Sequence, residues 1–107
     1  KRAIEIVSRR GVGVQESGLW TRPEMFSLRL AVMVGKDDAQ QRVFEDALEE
    51  VLRLVQDCGG SMEYCHGVGV KLAPLMAREH GYGLQVMRQI KQALDPNAIM
   101  NPGKLGL

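Results

Sequence analysis

Two irregular segments in the second half of the chain constrain its fold more than any other feature. Residues 59–71 read GGSMEYCHGVGVK, with four glycines, one histidine and one lysine. Glycine has no Cβ, so other groups can approach the backbone closely along such a stretch. Residues 94–104 read LDPNAIMNPGK, and because the residue before a proline avoids helical torsions, a helix is expected to end here. Both segments are more typical of a ligand site than of a packed core.

Composition limits the class of protein. The chain has 107 residues, 45% of them hydrophobic and 25% charged, which fits one globular domain or part of one. A net charge of +1 and five aromatic residues argue against a nucleic-acid partner. No apolar run approaches the ~20 residues of a membrane span, and the start at Lys1 lacks the apolar stretch of a signal peptide. We therefore expect a cytoplasmic protein.

Hydrophobic periodicity predicts an α+β fold, with helices packed on a small antiparallel sheet. An N-cap at Asp37–Asp38, with Gln41 in capping-box position, is expected to start the longest helix. In chain order, the pattern predicts a helix over 1–10 stopped by Gly11, a strand over 12–15, a strand over 26–34, a helix over 38–57, an edge strand over 61–65, a short helix from Pro74 to before Gly81, and a helix over 83–94.

Cys58 and Cys65 are expected to be free, buried thiols, since their number and spacing do not suggest a disulfide framework. A zinc site would have to gather Cys58, Cys65, His66 and His80. Because neighbouring residues on an extended backbone point to opposite faces, Cys65 and His66 are not expected to bind one metal or to form a hydrolase pair. His80 is expected at the surface.

His66 is the histidine with the most suggestive setting, since glycines at 67 and 69 clear space around it and Lys71 adds a positive charge. A histidine there can take or give a proton near neutral pH, and a cationic cluster can hold a carboxylate substrate. Two interpretations stay open at this point: a proton-handling residue, or a partly buried histidine bonded to nearby backbone.

Four stretches together resemble the C-terminal domain of the FAD-linked oxidases, the group with glycolate oxidase, D-lactate dehydrogenase and alkyl-dihydroxyacetone-phosphate synthase. They are Gly59-Gly60-Ser61, His66-Gly67-Val68-Gly69, Met87–Pro96 and Ile99–Lys104. The resemblance is specific over residues 59–104. It implies one half of a ferredoxin-like cap domain, with residues 1–107 as its C-terminal part and the N-terminal FAD-binding domain outside this chain.

The resemblance also implies a function and a set of site residues. The activity would be oxidation of a 2-hydroxy acid or similar alcohol, with hydride transfer to FAD, and the chain would form one wall of the active site. His66 would be catalytic, and Lys71 would bind substrate. Tyr64, through its hydroxyl, and Arg29 are two further candidates for substrate binding that come from their own chemistry and not from the resemblance. Asn101 and Lys104 would contact the cofactor. The partners would be an FAD-binding domain or subunit, a small-molecule substrate and, as an open question, further copies of the chain.

The chain departs from the family at the metal site. Many members hold a divalent metal with two upstream histidines and a glutamate before the His-Gly pair. Here Cys65 stands at the glutamate position, and residues 17–29 contain no histidine. We therefore expect no metal, with Arg29 replacing it as a carboxylate clamp. The alternatives are a non-catalytic interaction module with the same fold, and a degenerate flavoprotein that has lost its substrate chemistry.

Overall fold

The computed structural model describes residues 1–31 and 38–107. The chain consists of two compact units, an N-terminal unit (Lys1–Leu54) and a C-terminal unit (Val55–Leu107). In chain order the described elements are α1 (Arg2–Arg9), β1 (Gly13–Leu19), β2 (Phe26–Ala31), α2 (Asp38–Asp57), a 3₁₀ turn (Ala73–Leu75), α3 (Met76–His80), α4 (Tyr82–Leu94) and a second 3₁₀ turn (Lys104–Gly106). Helices beside a two-stranded antiparallel sheet confirm the predicted α+β class.

The N-terminal unit contains the hairpin of β1 and β2. The strands pair antiparallel from Gly13↔Ala31 to Leu19↔Phe26, with a register shift between Val14 and Glu16. Pairing as far as Leu19 makes β1 longer than the predicted strand over 12–15. The predicted strand over 26–34 is confirmed to Ala31, and its last three residues lie outside the described ranges.

The core of the N-terminal unit is apolar. Val7 of α1, Val12 before β1, and Ala47 and Val51 of α2 are buried in one cluster. Gly11 ends α1 as predicted, with φ +75°, a torsion that glycine adopts without a Cβ penalty. The buried residues of α2, Ala47 and Val51, follow the helical spacing that predicted this helix. The predicted cap at Asp37 lies outside the described residues.

The C-terminal unit contains α3, α4 and two irregular segments. Its buried apolar side chains are Met62, Leu75, Met76 and Leu84. The short helix before Gly81 and the helix that ends at Leu94 are both found where the sequence predicts them. Asp95, which precedes Pro96, ends α4 with φ −138°.

Two predictions for this unit are wrong. Residues 61–65 form a series of bends and not an edge strand, because side-chain carboxylates accept the backbone N–H groups that a neighbouring strand would otherwise accept. Cys58 and Cys65 are free as expected, but both are exposed and not buried. His80 is exposed, as predicted.

None of the helices in the described ranges combines the length and the apolar character that crossing a membrane requires.

Candidate functional site

The loop that carries His66 is anchored at its start by Glu79 of α3. The carboxylate of Glu79 accepts hydrogen bonds from Ser61 Oγ at 2.6 Å, Gln56 Nε2 at 2.7 Å and the Met62 N–H at 3.2 Å. Burial raises the pKa of Glu79, but these donors outweigh it, so the pKa lies below the ordinary value of 4.5. The ionised carboxylate therefore replaces a partner strand for this part of the backbone.

Glu63 shapes the next three residues. Its Oε1 accepts the backbone N–H groups of Tyr64, Cys65 and His66 at 2.8, 2.9 and 2.9 Å. Burial raises the pKa of Glu63, and the three N–H groups lower it by more, so the net pKa lies below 4.5. The backbone thus curls around one carboxylate oxygen, which presents the following side chains to solvent.

His66 is exposed on this curl. Its side chain is 77% exposed, and its Nδ1 lies 3.5 Å from Glu63 Oε1. That placement removes the alternative of a partly buried histidine. The ring is therefore open to a ligand from solvent, with the Glu63 carboxylate beside it.

Gly67 and Gly69 follow with φ of +78° and +58°. A Cβ at either position would meet no other atom within 4 Å, so the space above both residues is open. A flat ligand can therefore reach the backbone here.

The tail after α4 is fixed by a third carboxylate, and this one is buried. Asp95 is only 5% exposed. Its carboxylate pairs with Lys91 and accepts the N–H groups of Ile99 at 3.0 Å and Met100 at 2.9 Å. The Lys91 ammonium is the main reason that the pKa of Asp95 lies below its ordinary 3.8, and the two N–H groups add to it.

The same tail holds a strained backbone. Ala98, Asn101 and Leu105 all have positive φ, at 51°, 48° and 60°. Such torsions cost non-glycine residues roughly 1–2 kcal/mol each. They persist only where surrounding contacts impose them, and they concentrate at functional sites.

The two irregular segments that stand out in the sequence meet in the structure. The Leu105 N–H donates to Gly69 O at 2.9 Å. Close by, the guanidinium of Arg88 on α4 donates to Gly106 O at 3.3 Å. We call this contact between the His66–Gly69 loop and the 101–107 tail the loop–tail junction.

The predicted site residues divide between the two units. Tyr64, His66 and Lys71 lie on the loop, and Asn101 and Lys104 lie on the tail, all five exposed. The junction places Lys71 and Lys104 on neighbouring backbone segments. Lys71 is two residues from Gly69, and Lys104 is one residue from Leu105. Arg29 belongs to the N-terminal unit, where its guanidinium lies 3.6 Å from Glu16 in an exposed pair.

A cavity of about 360 Å³ adjoins the loop. Tyr64, Cys65 and Gly67 line it together with Glu79 and His80, whereas His66 is not among its lining residues. Of the predicted substrate-binding residues, Tyr64 is therefore the one that faces this cavity.

Sequence reasoning missed the three carboxylates that fix these segments, Glu63, Glu79 and Asp95. The available signals were weak: an acidic residue just before a glycine-rich turn, and an Asp-Pro pair at a helix end.

The structure also corrects the argument that Cys65 and His66 point to opposite faces. Because the backbone is curled and not extended, Cys65 Sγ lies 3.7 Å from His66 Nδ1. With Glu63, these side chains offer three possible metal ligands whose atoms all lie within 4.8 Å of one another.

The fold and the site together define a class of protein: an α+β domain in which a glycine-rich loop contacts a polar tail. Exposed histidine and lysine side chains lie on these two segments. The chain belongs to the family "FAD linked oxidases, C-terminal domain", whose sequence profile matches residues 26–105.

Three relatives illustrate the likeness. The chain is 33% identical over 70 residues to alkyldihydroxyacetonephosphate synthase of Trypanosoma brucei brucei, which covers 64% of this chain and 11% of that protein. It is 36% identical over 69 residues to glycolate oxidase subunit GlcD of Bacillus subtilis, covering 64% and 14%. It is 38% identical over 82 residues to D-2-hydroxyglutarate dehydrogenase of Xanthomonas citri pv. viticola, covering 71% and 17%. The matched region is thus a small part of each relative, and no solved structure matches the chain.

Proposed function

We propose that this chain forms one wall of the active site of an FAD-dependent oxidoreductase, which oxidises a 2-hydroxy acid or a similar alcohol. The observation that carries the proposal is the loop–tail junction, where the Leu105 N–H donates to Gly69 O. It joins the segment with the exposed His66 to the segment with Asn101 and Lys104. Two relatives whose names specify 2-hydroxy acids, glycolate oxidase and D-2-hydroxyglutarate dehydrogenase, support the substrate class.

His66 is assigned the proton of the substrate hydroxyl. Its exposed ring can reach a ligand in solvent, and the Glu63 carboxylate, 3.5 Å from Nδ1, is placed to orient the ring. Lys71 supplies a positive charge for the substrate carboxylate, and Tyr64 orients the substrate through its hydroxyl. Arg29 is the weakest assignment, because Glu16 already pairs with its guanidinium.

The residues of the junction fit a flat, anionic cofactor. A Cβ at Gly67, Gly69 or Gly103 would meet nothing within 4 Å, which leaves room for a ring system against the backbone. On the tail, Asn101 and Lys104 are the polar residues nearest to Gly103 in sequence, and they would bind the polar edge of the cofactor. FAD, which the family name implies, would accept the hydride from the substrate carbon.

An FAD-binding domain or subunit is the proposed partner of this chain, and residues 1–107 are proposed as part of the cap domain. An exposed apolar row on α4 supports such a partner: Tyr82, Val86, Ile90 and Leu94 recur every four residues, with exposures from 40% to 76%. Rows of this kind mark protein–protein contacts. A cytoplasmic location and self-association stay predictions.

The catalytic role is tested by replacing His66 with alanine in the full-length protein that contains this chain. We expect kcat to fall by about 10²-fold or more, the usual contribution of general acid–base catalysis, with unchanged thermal stability because the side chain is exposed. Arg53→Ala is the control, since Arg53 is an exposed residue of α2 that does not line the cavity beside the loop, and it should keep kcat within about twofold.

Two other outcomes identify the alternatives. Bound FAD with unchanged kcat in His66→Ala would refute the catalytic role of His66. A full-length protein that binds FAD but oxidises none of a panel of 2-hydroxy acids would favour a degenerate flavoprotein.

A further inference from the structure

Glu63, Cys65 and His66 bring three chemically different ligand atoms together within four residues of chain. One carboxylate oxygen, the Cys65 Sγ and one ring nitrogen of His66 all lie within 4.8 Å of one another. The Cys65 thiol is free and exposed, and the His66 side chain is 77% exposed, so an ion can enter from solvent.

The spacing of these atoms is close to what a tetrahedral zinc ion requires. With Zn–S of about 2.3 Å and Zn–N and Zn–O of about 2.1 Å, tetrahedral angles put sulfur and nitrogen about 3.6 Å apart and nitrogen and oxygen about 3.4 Å apart. The structure has Cys65 Sγ 3.7 Å from His66 Nδ1. It has His66 Nδ1 3.5 Å from Glu63 Oε1. The remaining pair, Cys65 Sγ and a Glu63 carboxylate oxygen, lies within 4.8 Å, so a bound ion would draw these two side chains closer together.

The backbone holds this arrangement before any ion binds. Three N–H groups donate to Glu63 Oε1, and they belong to Tyr64 and to the two other ligand residues themselves. The 3.5 Å distance from His66 Nδ1 is to Oε1, whose acceptor capacity these three N–H groups use. Among residues 1–31 and 38–107 no hydrogen bond to Glu63 Oε2 is seen, so Oε2 is the oxygen of this carboxylate that remains available to an ion. Preorganisation of this kind lowers the entropic cost of binding.

The ligand set selects the metal. Thiolate and imidazole suit Zn²⁺, whereas Mg²⁺ and Ca²⁺ require oxygen ligands that this cluster does not provide in sufficient number. Three protein ligands leave the fourth position of a tetrahedral ion open to water or to an oxygen of a bound molecule. The hard-ligand site implied by the family resemblance needs upstream histidines that this chain lacks, so the present cluster is a different site.

We propose that Glu63, Cys65 and His66 form a Zn²⁺ site with one open coordination position. The site itself stands on the geometry of the loop. One consequence rests on the proposed function: Zn²⁺ and the substrate proton compete for His66, so bound Zn²⁺ inhibits turnover.

The site is tested with the full-length protein by competition between the protein and a chromophoric chelator for Zn²⁺. We expect one Zn²⁺ per chain, and Cys65→Ser should weaken the affinity by more than about tenfold, since it replaces a thiolate ligand. Cys58→Ser is the matched control, because Cys58 is also a free, exposed cysteine, and it should leave the affinity unchanged. Equal affinities of Cys65→Ser and the unaltered protein would overturn the proposal.

A second measurement needs no variant. Alkylation of the unaltered protein, followed by mass spectrometry of its peptides, reports the reactivity of each thiol. We expect Zn²⁺ to slow the alkylation of Cys65 and not that of Cys58, and equal rates at Cys65 with and without Zn²⁺ would contradict the site. Turnover is measured separately: bound Zn²⁺ without inhibition would leave the site intact and count against His66 as the proton acceptor.

Discussion

The N-terminal and C-terminal units differ in what fixes their backbone. In the N-terminal unit, a cluster of Val7, Val12, Ala47 and Val51 is buried between regular elements. In the C-terminal unit, the two irregular segments depend on Glu63, Glu79 and Asp95, whose carboxylates accept N–H groups that no strand or helix satisfies.

This difference has consequences for function and for stability. A carboxylate that accepts several N–H groups holds a loop in one conformation without a neighbouring strand, which leaves the opposite side of that loop free for a ligand. The conformation of such a loop depends on ionisation of the carboxylate, because a protonated carboxyl is a weaker hydrogen-bond acceptor. The conformation of the two segments that carry the proposed site is therefore expected to depend on pH in the acid range.

The largest expected effect concerns the apolar core of the N-terminal unit. Val7 is 0% exposed, so Val7→Ala should reduce the free energy of unfolding of this unit by about 2–3 kcal/mol, through lost burial and a residual cavity. Hydrogen exchange resolved by peptide measures this in the full-length protein. Val43→Ala on the exposed side of α2 is the control and should cost less than about 0.5 kcal/mol. Equal effects of the two variants would show that this core is not what holds the unit.

A smaller and more local effect is expected in the tail. Asp95→Asn removes the ionic partner of Lys91 and weakens the acceptor for Ile99 and Met100. Exchange of these two amides should accelerate by about tenfold or more, since hydrogen bonds to charged groups are the stronger ones. Asp57→Asn, in an exposed pair with Arg78, is the matched control and should change little. Protection that survives in Asp95→Asn would mean that apolar contacts fix the tail.

The smallest effect is the difference in acid sensitivity. Glu63, Glu79 and Asp95 have pKa values below the ordinary 4.5 and 3.8. A lowered folded-state pKa contributes stability that is present above the unfolded value and is lost as the pH falls through the folded value. Between pH 7 and 5 we therefore expect no change.

The amides of residues 62–66 should lose protection below about pH 4.5, and those of residues 99–100 below about pH 3.8, in both cases before those of the β1–β2 hairpin, after correction for intrinsic exchange. The N-terminal unit also contains a lowered pKa, that of Glu50, which is lowered chiefly by its hydrogen bond from Arg10. That interaction joins two side chains and holds no irregular backbone. Simultaneous loss of protection in both units would remove the proposed distinction.

The regular elements could be predicted from the sequence because apolar periodicity and helix-stop signals determine them. Gly11 and Asp95–Pro96 end helices where expected, and the stripe of α2 buries Ala47 and Val51. The motifs around His66 and Asn101 also predicted which segments would form the candidate site, although not that Leu105 would join them.

The rest of the site could not be predicted, since it depends on contacts between residues distant in sequence. Residues 61–65 fail as a strand because Glu79, far along the chain, anchors their start. The proximity of Cys65 to His66 depends on a backbone curl around Glu63, which no periodicity encodes. Local sequence patterns therefore predict helices and strands. The side chains that accept hydrogen bonds from irregular backbone can be identified only in the three-dimensional structure.

The central claim is that His66, on the loop joined to the tail, handles the proton during oxidation of the substrate. The most direct test is the rate of flavin reduction by a 2-hydroxy acid, measured anaerobically in a single turnover of the full-length protein. We predict reduction about 10²-fold slower in His66→Ala than in Arg53→Ala, with equal FAD content in both. Equal reduction rates in the two variants would contradict the account.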